Sequence, residues 1–138
     1  MQNLLVDLKR PFPVGQLSWR KGGGPKKLVY INARQYQQRL DEVCGTFWQC
    51  KYPNVTESGV TECSVGIKIG DEWVWRSSGA GSTKIEGDKG TFTDSFKRAC
   101  AAWGIGRYLY NLDDENNIPH WATPKGYDKI MQLRKENN

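Results

Sequence analysis

Apolar residues recur at helical spacing along residues 91–103, where Phe92, Phe96, Ala99, Cys100 and Trp103 fall on one stripe. Thr91 and Asp94 stand at the spacing of a capping box, which predicts the start of a helix there. Gly104 stands where a left-handed C-terminal cap belongs. On the face opposite the stripe, Lys97 and Arg98 flank a strip occupied by Asp94 and small Ala101. Two cations therefore sit in mid-helix with little bulk between them. A solvated charged face is the ordinary use of such a pair, so the rest of the chain decides whether this one differs.

Elsewhere the pattern alternates between short strands and helices. Residues 14–20 and 28–31 have strand character and are joined by the basic, glycine-rich segment 21–27, which predicts an antiparallel hairpin. Asn32 is a natural cap for a helix over 33–43, with Ala33, Tyr36, Leu40 and Val43 on one face and Gly45 at its end. Residues 47–52 read as a strand ended by a turn at Pro53-Asn54. Residues 61–69 alternate strictly, Cys63, Val65, Ile67 and Ile69 pointing one way. A turn at Gly70-Asp71 returns the chain as a partner strand over 72–77, in which Trp73 and Trp75 share a face. Residues 79–90 read as a glycine-rich connection. Thr123 and Pro124 open a last short helix with Tyr127, Ile130 and Met131 inward, and 135–138 read as a frayed tail. The expected fold is α+β: one single domain over 1–138, with a curved antiparallel sheet packed on the central helix.

Composition changes the picture in two ways. Twenty Lys and Arg against 15 acids give a net charge of +5, which fits a polyanionic partner. Four cysteines without C-x-x-C spacing and a single histidine argue against a zinc site and against most histidine-dependent hydrolysis. Reduced thiols and the lack of a signal-peptide layout or membrane span place the expectation in the cytoplasm. The glycine-rich segment before the central helix lacks G-x-x-x-x-G-K-[ST], so no nucleotide cofactor is expected either.

Three blocks, 17–43, 63–90 and 91–110, together resemble the Rad fifty-two family of single-strand annealing proteins. The likeness is strongest to its compact bacterial and phage branch, to which DNA damage response protein A belongs. The core T-D-x-x-K-R-A-x-x-x-x-G, from Thr93 to Gly104, is the specific part. The resemblance implies single-stranded DNA held by its phosphates in a basic groove around an oligomeric ring or filament, and annealing in homologous recombination and DNA repair without bond-breaking catalysis. It carries groove cations onto Arg20, Lys97 and Arg98 directly and onto Lys84 within a variable loop. Lys26, Lys27 and Lys89 accompany them as neighbouring basic residues, and Lys68 is the candidate for a second DNA site. A single-strand-binding protein is a further partner by the same resemblance. Ala101 stands where eukaryotic members carry another Arg, so a lower groove charge is expected. The C-terminal region with which those members bind recombinase has no counterpart here, so mediator activity is not expected.

Two other classes compete. A small metal-dependent nuclease would use Asp7 and Lys9 as a D-x-K motif, with Glu86 and Asp88 as paired acids. A coating protein would bind single strands without annealing them, stacking bases on Trp73, Trp75 and Trp103. Core packing is the expected use of those three rings.

Overall fold

The computed structural model describes residues 2–21, 27–55, 61–80 and 87–137. Its order is α1 (Gln2–Lys9), β1 (Ser18–Lys21), β2 (Lys27–Tyr30), α2 (Ala33–Cys44), β3 (Trp48–Val55), β4 (Thr61–Ile69), β5 (Glu72–Ala80), α3 (Gly87–Ala102) and α4 (Pro124–Glu136). Strands β1 and β2 form a two-stranded antiparallel sheet in which Arg20 pairs with Leu28. Strands β3, β4 and β5 form a second antiparallel sheet. The class is α+β as expected, but the strands divide between two sheets.

The inward face of the three-stranded sheet is the one its alternation predicts. Cys63, Val65 and Ile67 are fully buried against α3, whose Phe96, Ala99, Cys100 and Trp103 meet them. Trp103 is the tightest junction. Its indole N–H donates to the Val65 carbonyl at 2.8 Å, and the Arg76 guanidinium lies 4.5 Å from its ring centroid. Arg76 also donates to the Ala102 carbonyl at 2.8 Å, and Arg107 donates to the carbonyls of Ala101 and Ala102 at 2.9 Å each. Two cations thus close the C-terminus of α3, where free carbonyls and the helix dipole favour positive charge.

Several local expectations are corrected. Helix α3 starts at Gly87, ahead of the Thr91–Asp94 box, and the Asp94 carboxylate accepts from Arg98 one turn on. The sequence Gly-Asp-Lys-Gly of that first turn carries no apolar residue, so periodicity does not reveal it. Strand β3 continues through Pro53-Asn54, with a register shift between Lys51 and Asn54. Proline is tolerated there because β3 is an edge strand with a bulge. The first predicted strand, 14–20, is displaced: Val14–Gln16 is a 3-10 turn and strand β1 is Ser18–Lys21. Strand β5 runs on to Ala80, and α4 extends through Lys135 to Glu136. Its cap is as expected, with the Thr123 side chain accepting from the Gly126 amide.

Trp73 and Trp75 do not join the core. Both lie on the outward face of the sheet, their ring centroids 6.2 Å apart, with Lys51 Nζ 4.6 Å from the Trp75 ring. A Cβ on Gly66 would come within 2.7 Å of that ring, so the glycine lets Trp75 lie flat on the strand opposite. The period of two sent every second residue outward, and two of those residues happen to be tryptophan.

Beneath the three-stranded sheet, the Cys50 and Cys63 thiols hydrogen-bond to each other, which pulls the first proton of the pair, on Cys50, down to about 6 and pushes the second, on Cys63, up. Burial raises Cys100 and Cys44. All four thiols are free.

The remaining helices are tied down by long-range polar contacts. Arg10 forms a paired hydrogen bond with Asp128 of α4, at 2.9 Å through each nitrogen, and the Tyr127 hydroxyl donates to the Val6 carbonyl at 2.7 Å. On α2, Arg39 is buried and donates to the Leu8 carbonyl at 3.0 Å and the Arg10 carbonyl at 2.5 Å. Its guanidinium lies 4.3 Å from the Phe12 ring centroid. Replacing Arg39 by Ala strands two carbonyls and empties a buried site, so stability should fall by about 3 kcal/mol. Arg39→Lys keeps the charge without the fork and should lose part of that amount. Denaturant unfolding midpoints measure both; an Arg39→Ala loss under about 1 kcal/mol would show that the contacts carry little.

Candidate nucleic-acid groove

Where the hairpin meets the outer face of α3, an open groove of about 810 Å³ runs between them. Arg20 reaches it from β1, Lys97 and Arg98 from α3, and Tyr30 from the end of β2. The strand pairing of Arg20 with Leu28 sets the hairpin side. On the helix side, burial of Phe96, Ala99 and Cys100 fixes the rotation that turns Lys97 and Arg98 away from the sheet. The floor is closed by Gly106, whose φ of +70° and proximity to the Tyr36 hydroxyl leave no room for a side chain.

The cations are held, though not tightly. The Arg20 guanidinium lies 5.5 Å from the Tyr30 ring centroid, and Lys97 Nζ lies 5.8 Å from Tyr30 and 6.0 Å from Tyr36. Tyr30 thus has cations from two elements about its ring. Arg98 donates to Asp94 at 3.1 Å, which raises its pKa and keeps it charged. Burial pushes the Tyr36 hydroxyl up, so it stays protonated. Among the described residues the groove is open along one side, a shape that suits an extended anionic chain better than a compact ligand.

Of the other predicted cations, Lys27 and Lys68 lie outside the groove lining. Lys26 and Lys84 fall outside the described residues. Lys89 belongs to the first turn of α3, eight residues before Lys97, or about two turns. Lys27 is engaged in an ion pair with Glu115. Lys68 is on the outward face of β4, its Nζ 5.6 Å from the Phe47 ring centroid, apart from the groove. Sequence reasoning missed Tyr30 and Tyr110 as groove residues. The signal for Tyr30 was present, since it follows by two residues the partner of Arg20 and therefore shares its face. Of the arginines left unplaced by sequence, Arg39 and Arg107 bond to backbone carbonyls within the fold. Arg34 is exposed at the start of α2.

The D-x-K motif does not form a strand-borne acidic site. Asp7 and Lys9 lie in α1, and the Lys9 stem packs over Gly104, within 2.6 Å of where a Cβ would be. Glu86 is outside the described residues, and of Asp88 only its place in the first turn of α3 is described.

An α+β domain with a cationic, aromatic-lined groove laid open between a hairpin and a helix is the class that fold and site define. The model of the Rad52/22 family of double-strand break repair proteins matches residues 1–127, and the chain belongs to that family. The match reaches beyond 17–110 at both ends, taking in α1 and the start of α4. Among individual relatives, the single-stranded DNA-binding protein DdrA of Deinococcus deserti is 30% identical, over 85% of this chain and 68% of its own length. DdrA of Deinococcus radiodurans is 27% identical, over 85% of this chain and 66% of its own length. The chain therefore spans about two thirds of these relatives.

Lys97 is half-buried beneath the two tyrosines, where an open solvent position was expected. Replacing Lys97 and Arg98 together by Ala removes the Lys97 contacts with the Tyr30 and Tyr36 rings and one surface ion pair. The fold should lose no more than about 1 kcal/mol. Thermal and denaturant unfolding measure this; collapse of the fold would make the pair a structural element.

Proposed function

We propose that this chain binds single-stranded DNA through its phosphates in the groove and promotes ATP-independent annealing of complementary strands in recombination and DNA repair. The observation that carries the reading is the convergence of Arg20, Lys97 and Arg98 from separate elements on one open groove. Family membership and the single-stranded DNA binding of the two DdrA relatives support it. Cations that contact phosphates on one side leave base edges free to meet a second strand. Pairing and stacking then drive annealing downhill, by about 1.4 kcal/mol per base-pair step. The protein lowers phosphate repulsion and keeps the strand extended. No covalent bond is made or broken, so the activity is not enzymatic in that sense.

The working form in this reading is a homo-oligomer, a ring or filament that joins groove to groove. Strands β3 and β5 form the edges of the three-stranded sheet and offer backbone groups for pairing between copies. Lys26, Lys84 and Lys89 extend the same cationic track in this proposal. Lys27 contributes once Glu115 gives way to phosphate. Lys68, on the outward sheet face, belongs to a second contact with DNA. A single-strand-binding protein is the proposed source of the strand, and the cytoplasm its place.

Complementary oligonucleotides with a fluorophore and quencher should pair faster with the protein than without it, in EDTA and without nucleotide. Slowed pairing would favour a coating protein, and strand shortening that EDTA stops would favour a nuclease. Arg20, Lys97 and Arg98 alone predict that log affinity falls with log salt at a slope of roughly −2 per subunit, steeper by about 0.7 for each further lysine that contacts a phosphate. Lys97→Ala/Arg98→Ala should flatten that slope by about 1.4 and cost most of the binding. An unchanged slope would remove the pair from the interface.

Light scattering at micromolar protein, with and without oligonucleotide, should report a multimer. A strictly monomeric species under both conditions would overturn the ring or filament.

A further inference from the structure

The groove carries more than a phosphate site needs. Its lining combines the three cations with exposed apolar surface, Leu28 at 51% and Tyr110 at 70% exposure. Tyr110 is the most exposed large hydrophobic residue among those described. It is nonetheless well anchored. The 3-10 turn Arg107–Asn111 presents it between Leu109 and Leu112, each only 7% exposed, so its backbone is fixed while its ring faces the groove. Arg107, three residues earlier, ties the same turn to the end of α3.

The two exposed tyrosines of the groove are not equivalent. Tyr30 has Arg20 and Lys97 about its ring. Among the described residues, none of the ring–ring or cation–ring contacts involves Tyr110. An apolar face left bare beside cations matches the two surfaces of a single strand, charged backbone and flat base. We infer that Tyr110 is a base-stacking residue of the groove, on which one nucleobase of the bound strand lies and is set in register against the cations. The inference rests on the groove reading above and adds a base contact to it. Every nucleobase has a π-face, so such a contact adds affinity with little sequence readout. It also orders the strand, holding a base at a fixed place relative to Arg98 while the edges of its neighbours stay free.

The test compares an oligo-dT with an abasic deoxyribose-phosphate strand of equal length, measured by fluorescence anisotropy. Wild type should bind oligo-dT about tenfold more tightly than the abasic strand, by the usual size of one stacking contact. Tyr110→Ala should close most of that gap by weakening oligo-dT alone, with the salt slope unchanged. Tyr110→Phe keeps the ring and should keep the gap. Circular dichroism and light scattering on each variant check fold and assembly. If Tyr110→Ala retains the wild-type gap, or alters only the oligomer size, the inference is overturned and the phosphate groove stands. If wild type binds neither strand, the groove reading itself falls, and the stacking role with it.

Discussion

The burial of Trp103 is the constraint on which the rest of the molecule depends. Its indole is 1% exposed, and its N–H must find an acceptor inside the protein, which it does at the Val65 carbonyl of the central strand. That single bond fixes how far along the sheet the end of α3 lies. Arg76 makes the arrangement two-sided: it covers the indole and donates to the Ala102 carbonyl at the end of the same helix. Removing a ring of this size from a core typically costs about 3–5 kcal/mol, a large fraction of a small domain's stability. Once the helix is pinned in position and rotation, Lys97 and Arg98 have one direction left to point, toward the hairpin.

The ring contacts and the ion pair described for the groove cations are several-fold weaker. A cation near an exposed aromatic ring contributes about 0.5–1 kcal/mol, and an exposed ion pair such as Arg98 with Asp94 about the same. These contacts orient the side chains without consuming them, because a phosphate oxygen offers a guanidinium more than either alternative does. Structural and groove cations are therefore separated by energy. Arg39, Arg76 and Arg107 are committed to backbone carbonyls, whereas Arg20, Lys97 and Arg98 are held by contacts that binding can replace.

That division explains what was legible in the sequence. Strand β4, helix α2 with its Asn32 cap, and the cation pair on the back of α3 follow from periods of two and 3.6 and from local capping chemistry. The first turn of α3 was hidden because it has no apolar residue, and the bulge at Pro53 because proline signals a turn more often than an edge strand. Which arginines are structural could not be read. Arg39 meets Leu8 across 31 residues and Arg76 meets Ala102 across 26, and neither partner is a charged side chain. Backbone carbonyls are the same at every position, so sequence holds no mark of which will accept. Trp73 and Trp75 deceived for a simpler reason. Alternation showed that they share a face, and only the packed helix shows which face is outside.

Placing an acid inside a cationic groove has a consequence for turnover. Asp94 lowers the local positive charge and competes with phosphate for Arg98. A groove of unopposed cations would bind one strand more tightly, but its annealed product must also leave or slide for the next encounter. At about 0.7 counterions released per contact, each cation neutralised by its own carboxylate subtracts a fixed share of the affinity. In the proposed function the same carboxylate also restrains the guanidinium before DNA arrives, which would reduce the entropy lost on binding. In the proposed function Asp94 and Tyr30 act alike: each occupies a cation loosely, on the groove side where phosphate is proposed to bind.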